Sequence, residues 1–365
     1  MTRRKKARLI LEDGTEFEGW SFGAQGGVEG EVVFTTGMAG YPQSLTDPSF
    51  FGQILVSTYP LVGNYGVPDD SVDGAGIPRH FESSRIWASG LVVSEACKLP
   101  SHYASVRSLP AWMEAQGVPG IEGIDTRALT MRLRERGVMR GSLLVEGPQG
   151  FGALPESSLS AHAVASVSRS EAALYGAGGF PKVLLIDCGA KNNILRCLLA
   201  RGAEVRVLPW NGGLEGLEYD GIFLSNGPGD PKACTKTIAT VRRALAGGRP
   251  VFGICLGAQI MALAAGADTY KLPYGHRGQN QPCVERFTGR CYITSQNHGY
   301  AVREESLPSG WETWFSNGND GTVEGLRSTK GPFSAVQFHP EGCPGPRDTE
   351  FLFDSFLAQA KEMAR

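Results

Sequence analysis

No stretch of this 365-residue chain approaches the ~20 consecutive apolar residues that a membrane-crossing helix needs. Charge of one sign is missing too. The 35 Lys and Arg stand against 37 Asp and Glu, so nothing points to nucleic acid or another polyanion as partner. The eight cysteines contain no Cys-x-x-Cys pair and form no zinc-like spacing with the six histidines. That usage implies a reducing, cytosolic compartment and no structural metal. A Gly-x-x-x-x-Gly-Lys-Ser/Thr loop is absent, so this chain offers no ATP site of that kind. Solenoid repeats and low-complexity tracts are absent as well. The basic opening, Thr2 to Arg8, runs straight into Leu9-Ile10-Leu11 without the apolar region of a signal peptide, and reads as a solvated tail.

What the chain has is two textures, as its length allows. Residues 8–36 alternate as antiparallel β structure: Arg8 to Leu11, a turn at Asp13-Gly14, Glu16 to Trp20, then Glu31 to Thr35. Gly, Pro and Asn between 37 and 78 argue for ordered loops. Helices are expected at 104–116 and, capped by Asp125-Thr126, at 126–136. Ser, Gly and Ala dominate 147–181, which suits a linker. Thereafter strands and helices alternate: strand 182–187, helix 191–201, strand 204–208, strand 221–225, helix 235–246, strand 250–254. The reading is an N-terminal β-rich α+β domain over 1–150, a linker over 151–180, and an α/β domain over 181–365. In the last, a mostly parallel sheet is flanked by helices and carries its site at the strand carboxyl ends.

The α/β half holds the chemistry. An apolar strand ends in Gly253-Ile254-Cys255-Leu256-Gly257, and Ala258-Gln259-Ile260-Met261-Ala262 continues with helical composition. Strand, sharp turn and helix make a nucleophile elbow, with a thiol as nucleophile. At a helix N-terminus the dipole favours thiolate, the reactive form. Near the other end, Ala335 to Phe338 reads as a strand running into His339-Pro340-Glu341. In extended backbone His339 and Glu341 project to the same side, which suits an imidazole base and the carboxylate that orients it. Gln259 falls one helical turn after Cys255 on the same face.

These motifs resemble a known family. Gly253 to Gln259, Ser225-Asn226-Gly227-Pro228-Gly229-Asp230-Pro231 and His339-Pro340-Glu341 are similar to the class I (triad-type) glutamine amidotransferases, in that family's order. Thr36 to Ser49, Thr58 to Gly66, Gly123-Ile124-Asp125-Thr126-Arg127 and Gln296-Asn297-His298-Gly299-Tyr300 resemble the carbamoyl-phosphate synthetase small subunits. The likeness covers nearly the whole chain. It implies that Cys255 attacks the side-chain amide of glutamine to form a thioester, with His339 and Glu341 completing the triad. The amides of Leu256 and Gly229 would hold the oxyanion, with Gly227 in the same loop. Gln259, Asn297, the backbone at Gly299 and Tyr300, and Ser49 from the N-terminal half would hold the substrate. It further implies that ammonia passes to a large synthetase subunit. That partner alone would bring ATP and Mg for making carbamoyl phosphate from bicarbonate, since this chain is expected to need no cofactor and no metal.

Five positions depart from the pattern: 258, 277, 281, 342 and 343. The family often has His where this chain has Ala258, Arg277 and Gln281, and His-Pro-Glu-Ala-Ser becomes His339-Pro340-Glu341-Gly342-Cys343. None of these is a triad member. Two other readings stay on the page: a different amidotransferase subunit, which would lack the 1–150 domain, and a non-catalytic scaffold, which an intact Cys255, His339 and Glu341 disfavour.

Overall fold

Alternation in Lys6–Leu11 (β1) buries Ala7, Leu9 and Leu11 on one side. After the turn at Gly14 the chain pairs back along Glu16–Gly23 (β2), with Ile10 opposite Glu16. In the computed structural model, which describes residues 4–148, 150–151 and 162–364, this hairpin is the seam of a closed seven-stranded barrel. Its chain continues through Gly27–Thr35 (β3), Tyr41–Leu45 (α1), Gln53–Ser57 (β4), Leu61–Val62 (β5), Gly90–Val92 (β6), Glu95–Ala96 (β7), Leu109–Ala115 (α2), Pro119–Glu122 (β8), Thr126–Arg136 (α3) and Met139–Val145 (β9). The order round the barrel is β1-β2-β8-β6-β4-β3-β9, and β5 pairs β7 apart from it. Closure removes the open edges that a small sheet would otherwise expose.

Several details differ from the sequence reading. The 37–78 stretch, read as loops rather than helices, holds the helix α1, and its β4 pairs in parallel with both β3 and β6. Its residues Ile54, Leu55 and Val56 are all buried, so the strand lacks the alternation that marks a half-exposed one. The helix expected at 104–116 is shorter: Ser108 caps it by accepting from the Ala111 amide, and Pro110 occupies its first turn. Asp125 caps α3 in the same way through the Ala128 amide.

The chain divides into two compact units, and the second takes Gly74–Ile77 together with the C-terminal half. Of the segment read as a linker, residues 152–161 lie outside the described residues. Beyond them the linker expectation is corrected: Ala163–Val167 (α4) is helical, and Ala173–Tyr175 (β10) is an edge strand of the second unit's sheet.

That sheet continues with Lys182–Asp187 (β11), Glu204–Pro209 (β12), Gly221–Leu224 (β13), Val251–Ile254 (β14), Thr269–Glu285 (β15), Cys291–Val302 (β16), Trp311–Asn317 (β17), Val323–Ser328 (β18) and Phe333–Val336 (β19). Its order is β10-β12-β11-β13-β14-β19-β18-β17-β15-β16. Parallel pairing is confined to β12-β11-β13-β14-β19, and every other pairing is antiparallel. Thr235–Ala246 (α6) and Leu256–Ala265 (α7) bury Val241, Ala244, Ile260 and Met261 on one face. Asn192–Ala200 (α5) and Phe351–Met363 (α8) bury Ile194, Leu198, Phe353 and Phe356 on the other, where Ile77 joins the same core. A parallel sheet covered on both faces presents its strand carboxyl ends as the place for a site.

Candidate active site

The elbow is built from small residues because there is no room for larger ones. A Cβ on Gly253 would lie 2.7 Å from the backbone of Gly257, and one on Gly257 would lie 2.5 Å from the Leu224 carbonyl of β13. Side chains are thus excluded on either side of Cys255, and β14 and α7 close to backbone contact. Cys255 itself takes φ 54° and ψ −107°, a left-handed backbone that residues with a Cβ rarely adopt. Its amide donates to the Val336 carbonyl at 2.8 Å, and its thiol points at the Asn297 carbonyl at 3.7 Å. Leu256 opens α7, so its N–H belongs to the first turn, where helical amides have no intrahelical acceptor.

His339 and Glu341 follow β19. The His339 amide donates to the Ser295 carbonyl at 2.8 Å, fixing the extended segment against β16. His339 Nδ1 lies 2.7 Å from Glu341 Oε1, so the ring donates its Nδ1 hydrogen to the carboxylate. Both residues are buried. Burial disfavours the charged ring, but the Glu341 carboxylate and the Cys255 thiol outweigh it and take His339 up to about 10. Its Nε2 has no conventional hydrogen-bond partner, which leaves that nitrogen and the thiol as the facing pair. For Glu341, burial acts upward, but Lys191 and His339 prevail and hold the carboxyl down at about 2.

Lys191 was missed from sequence. It precedes α5, is buried, and places Nζ 3.0 Å from Glu341 Oε1 while also donating to the Gly342 carbonyl. Asn193 Nδ2 donates to the Glu341 carbonyl at 2.6 Å. The Lys191 amide donates to Asn226 Oδ1 at 3.0 Å, which ties this cation to the Gly227–Gly229 loop. Only a strand-to-helix turn at 188–191 marks these residues in sequence, and nothing local pairs them with a glutamate so far along the chain.

The remaining expected residues fall as follows. Gly227 packs so closely that a Cβ there would meet the Cys188 carbonyl at 2.0 Å and the Leu256 side chain at 2.8 Å, which sets this loop against the elbow. Gly229, two residues on, has φ +88°. Gln259 is buried, and its side-chain amide donates to the Tyr300 carbonyl at 2.8 Å and to Gln337 Oε1 at 3.0 Å. Its donors therefore brace the strand carrying Asn297, Gly299 and Tyr300. Of the departures, Arg277 stands opposite Asn297 in β15 and donates to the Tyr274 carbonyl, whereas Gln281 pairs with Thr294. Ala258 is buried within α7. Cys343 takes φ 56°, with Arg196 Nη2 at 4.0 Å from its sulfur. Ser49 belongs to the first unit, buried in a turn where its amide donates to Asp47 Oδ1 at 2.9 Å.

A thiol on a strained elbow, an imidazole bound to a buried carboxylate, and helix-start amides beside them form a cysteine acyl-transfer site. The family model for class-I glutamine amidotransferases matches residues 184–359, the part of the chain that carries this site. The CPSase domain model of carbamoyl-phosphate synthase small chains matches residues 9–143, and with both matches the chain belongs to the carbamoyl-phosphate synthase small-chain family. It is similar to the multifunctional protein CAD of Squalus acanthias, 48% identical over 359 residues that cover 98% of this chain and 16% of that protein. It is also similar to the mitochondrial carbamoyl-phosphate synthase (ammonia) of Homo sapiens, 45% identical over 364 residues, covering 99% of this chain and 24% of that protein. The chain thus spans about a sixth to a quarter of the length of these curated relatives.

Proposed function

We propose that this chain hydrolyses glutamine and supplies the ammonia to a carbamoyl-phosphate-forming synthetase. The observation that carries the reading is the Cys255–His339–Glu341 arrangement on the elbow. His339, whose affinity for a proton is raised by Glu341, receives the thiol proton as Cys255 attacks the amide carbon of the glutamine side chain. Amides of Leu256 and Gly229 stabilise the oxyanion. The carbon–nitrogen bond then breaks, His339 returns the proton to the leaving ammonia, and a γ-glutamyl thioester remains on Cys255. Water, deprotonated by His339, attacks the thioester and releases glutamate. Gln259 braces the strand on which Asn297, Gly299 and Tyr300 receive the amino-acid end of the substrate, with Gly227 shaping the oxyanion loop.

The partner is a large synthetase subunit, docked through the N-terminal unit in a heterodimer, and it alone binds ATP and Mg. Cytosolic residence is consistent with eight free cysteines. Among the described residues no helix is long and apolar enough to cross a membrane. The product feeds pyrimidine synthesis, arginine synthesis or both. The test is glutamate release from glutamine, first by this chain alone and then with a large subunit, ATP and bicarbonate. A basal rate that rises with the partner as carbamoyl phosphate forms supports the proposal. Cys255→Ser should lower hydrolysis by more than about a thousandfold. Equal rates for the variant and the native chain would refute it.

A further inference from the structure

A second buried cluster, separate from the triad, lies in the antiparallel half of the sheet. His276 of β15 and His298 of β16 are register partners, with rings edge-on at 4.9 Å between centroids. Glu324 of β18 reaches both: its Oε1 is 3.3 Å from His276 Nδ1 and 3.9 Å from His298 Nε2. All three residues are buried, and Glu324 is completely so.

The nitrogen and oxygen atoms of this cluster converge on one another. His298 Nδ1 lies 2.8 Å from the Tyr300 carbonyl, which can only accept, so Nδ1 carries hydrogen and Nε2 of the neutral ring is a bare lone pair. That lone pair faces Gln296 Oε1 at 3.1 Å. Gln296 Nε2 is engaged in turn by Cys283 Sγ and Thr294 Oγ1, each at 3.2 Å. On the other ring, His276 Nε2 lies 2.8 Å from Asp320 Oδ2 and donates to it, which turns Nδ1 towards Glu324. Asn317 Nδ2 donates to Glu324 Oε1 at 3.0 Å. Glu324 Oε2 has no conventional hydrogen-bond partner, though a side-chain hydrogen bond from Gln296 also acts on the carboxyl.

We propose that His276 Nδ1, His298 Nε2, Glu324 and Gln296 Oε1 form a binding site for a divalent metal ion, with Zn²⁺ the best match. Neutral imidazoles and a carboxylate are its usual ligands outside thiolate sites. Separations of 3.1, 3.3 and 3.9 Å bracket the edge of about 3.3 Å that a tetrahedron with ~2.0–2.1 Å metal–ligand bonds requires. Both imidazoles already have the outer partners that metal-bound histidines use, a carboxylate on one and a backbone carbonyl on the other. The ligands come from three strands and stand far apart in sequence. A search for short-range zinc spacing therefore passes over them.

The ion would be structural. None of its ligands is a triad member, but His298 and Gln259 share the Tyr300 carbonyl as acceptor, and the thiol of Cys255 points at the carbonyl of Asn297. Metal binding would therefore stiffen residues 296–300 beside the nucleophile.

The test uses the full chain carrying Cys255→Ser, freed of metal by chelation, and titrates it with Zn²⁺ and with Co²⁺. The expected result is one ion bound per chain, a higher unfolding temperature in Zn²⁺ by mass action, and a Co²⁺ spectrum of nitrogen and oxygen ligands. Glu324→Gln should abolish stoichiometric binding. Asp320→Asn, at a partly exposed position that should not disturb folding, should weaken it about 10–100-fold. Absence of saturable binding overturns the proposal. So does binding that is unchanged in both variants, or a Co²⁺ spectrum dominated by thiolate charge transfer. No readout depends on glutamine hydrolysis, so failure here is distinct from failure of the glutaminase reading.

Discussion

Glu341 and Glu324 are both fully buried beside histidines, yet their environments drive them in opposite directions. Glu341 is held at about 2, while burial leaves Glu324 above its ordinary value despite the help of His276 and Asn317. The histidines bonded to these carboxylates are both raised, His339 to about 10, while burial depresses His298, so the contrast lies in the carboxylates. The difference is one lysine. Lys191 lies 3.0 Å from Glu341 Oε1, and no lysine or arginine forms an ion pair with Glu324 among the described residues. A buried carboxylate stays ionised where a permanent cation is built in beside it, and only an ionised carboxylate can hold an imidazolium in readiness.

The largest effect expected from breaking the contrast is catalytic. Glu341→Gln removes the charge that raises His339 and should lower glutamine hydrolysis by about 10²–10⁴-fold, measured as glutamate release. A drop of less than tenfold would show that the imidazole does not depend on this carboxylate. Next comes Lys191→Met, which leaves Glu341 buried without its cation. It should cost about 3–5 kcal/mol in urea unfolding, the usual consequence of removing one partner from a buried pair. A loss below about 1 kcal/mol would mean that Lys191 does not neutralise Glu341.

The pH dependence sharpens the same point. The stability contributed by Glu341 is present above 4.5 and is lost as pH falls from there towards about 2. The contribution of His339 is complete below 6.5 and is lost as pH rises from there towards about 10. The stability advantage of the native chain over Glu341→Gln should therefore peak between these limits, near pH 5–6, and shrink on both sides. A difference that is flat from pH 3 to 9 would exclude a charged pair. The smallest effect belongs to the other cluster. In metal-free protein, Glu324→Gln exchanges a carboxyl of raised pKa for a neutral isostere and should change unfolding stability by no more than about 1 kcal/mol. A cost like that of Lys191→Met would mean that the two clusters are electrostatically alike.

What could be read from sequence was local. Strand, turn and helix at 250–265 occur within one short window, and His339 and Glu341 stand two apart on extended backbone, so their convergence at 2.7 Å follows from spacing alone. Lys191 and Asn193 reach Glu341 from the start of α5 and carry no local signal. The seven-stranded barrel was only half visible, because β9 pairs with both β1 and β3, partners far away in sequence. Within β15, Pro273, Gly275, Gly278 and Pro282 disguise a 17-residue strand whose register shifts twice against β16. Such residues ordinarily mark turns or bulges, and here the bulges turn His276 and Arg277 into the interior.

Cys255 is held at φ 54°, where a residue with a side chain carries about 1–3 kcal/mol of strain and glycine carries almost none. A laboratory population screened for heat resistance alone would accordingly drift towards glycine at this position, gaining robustness while its turnover vanished. Position 255 is where thermostability screens and activity screens of this chain should part company first.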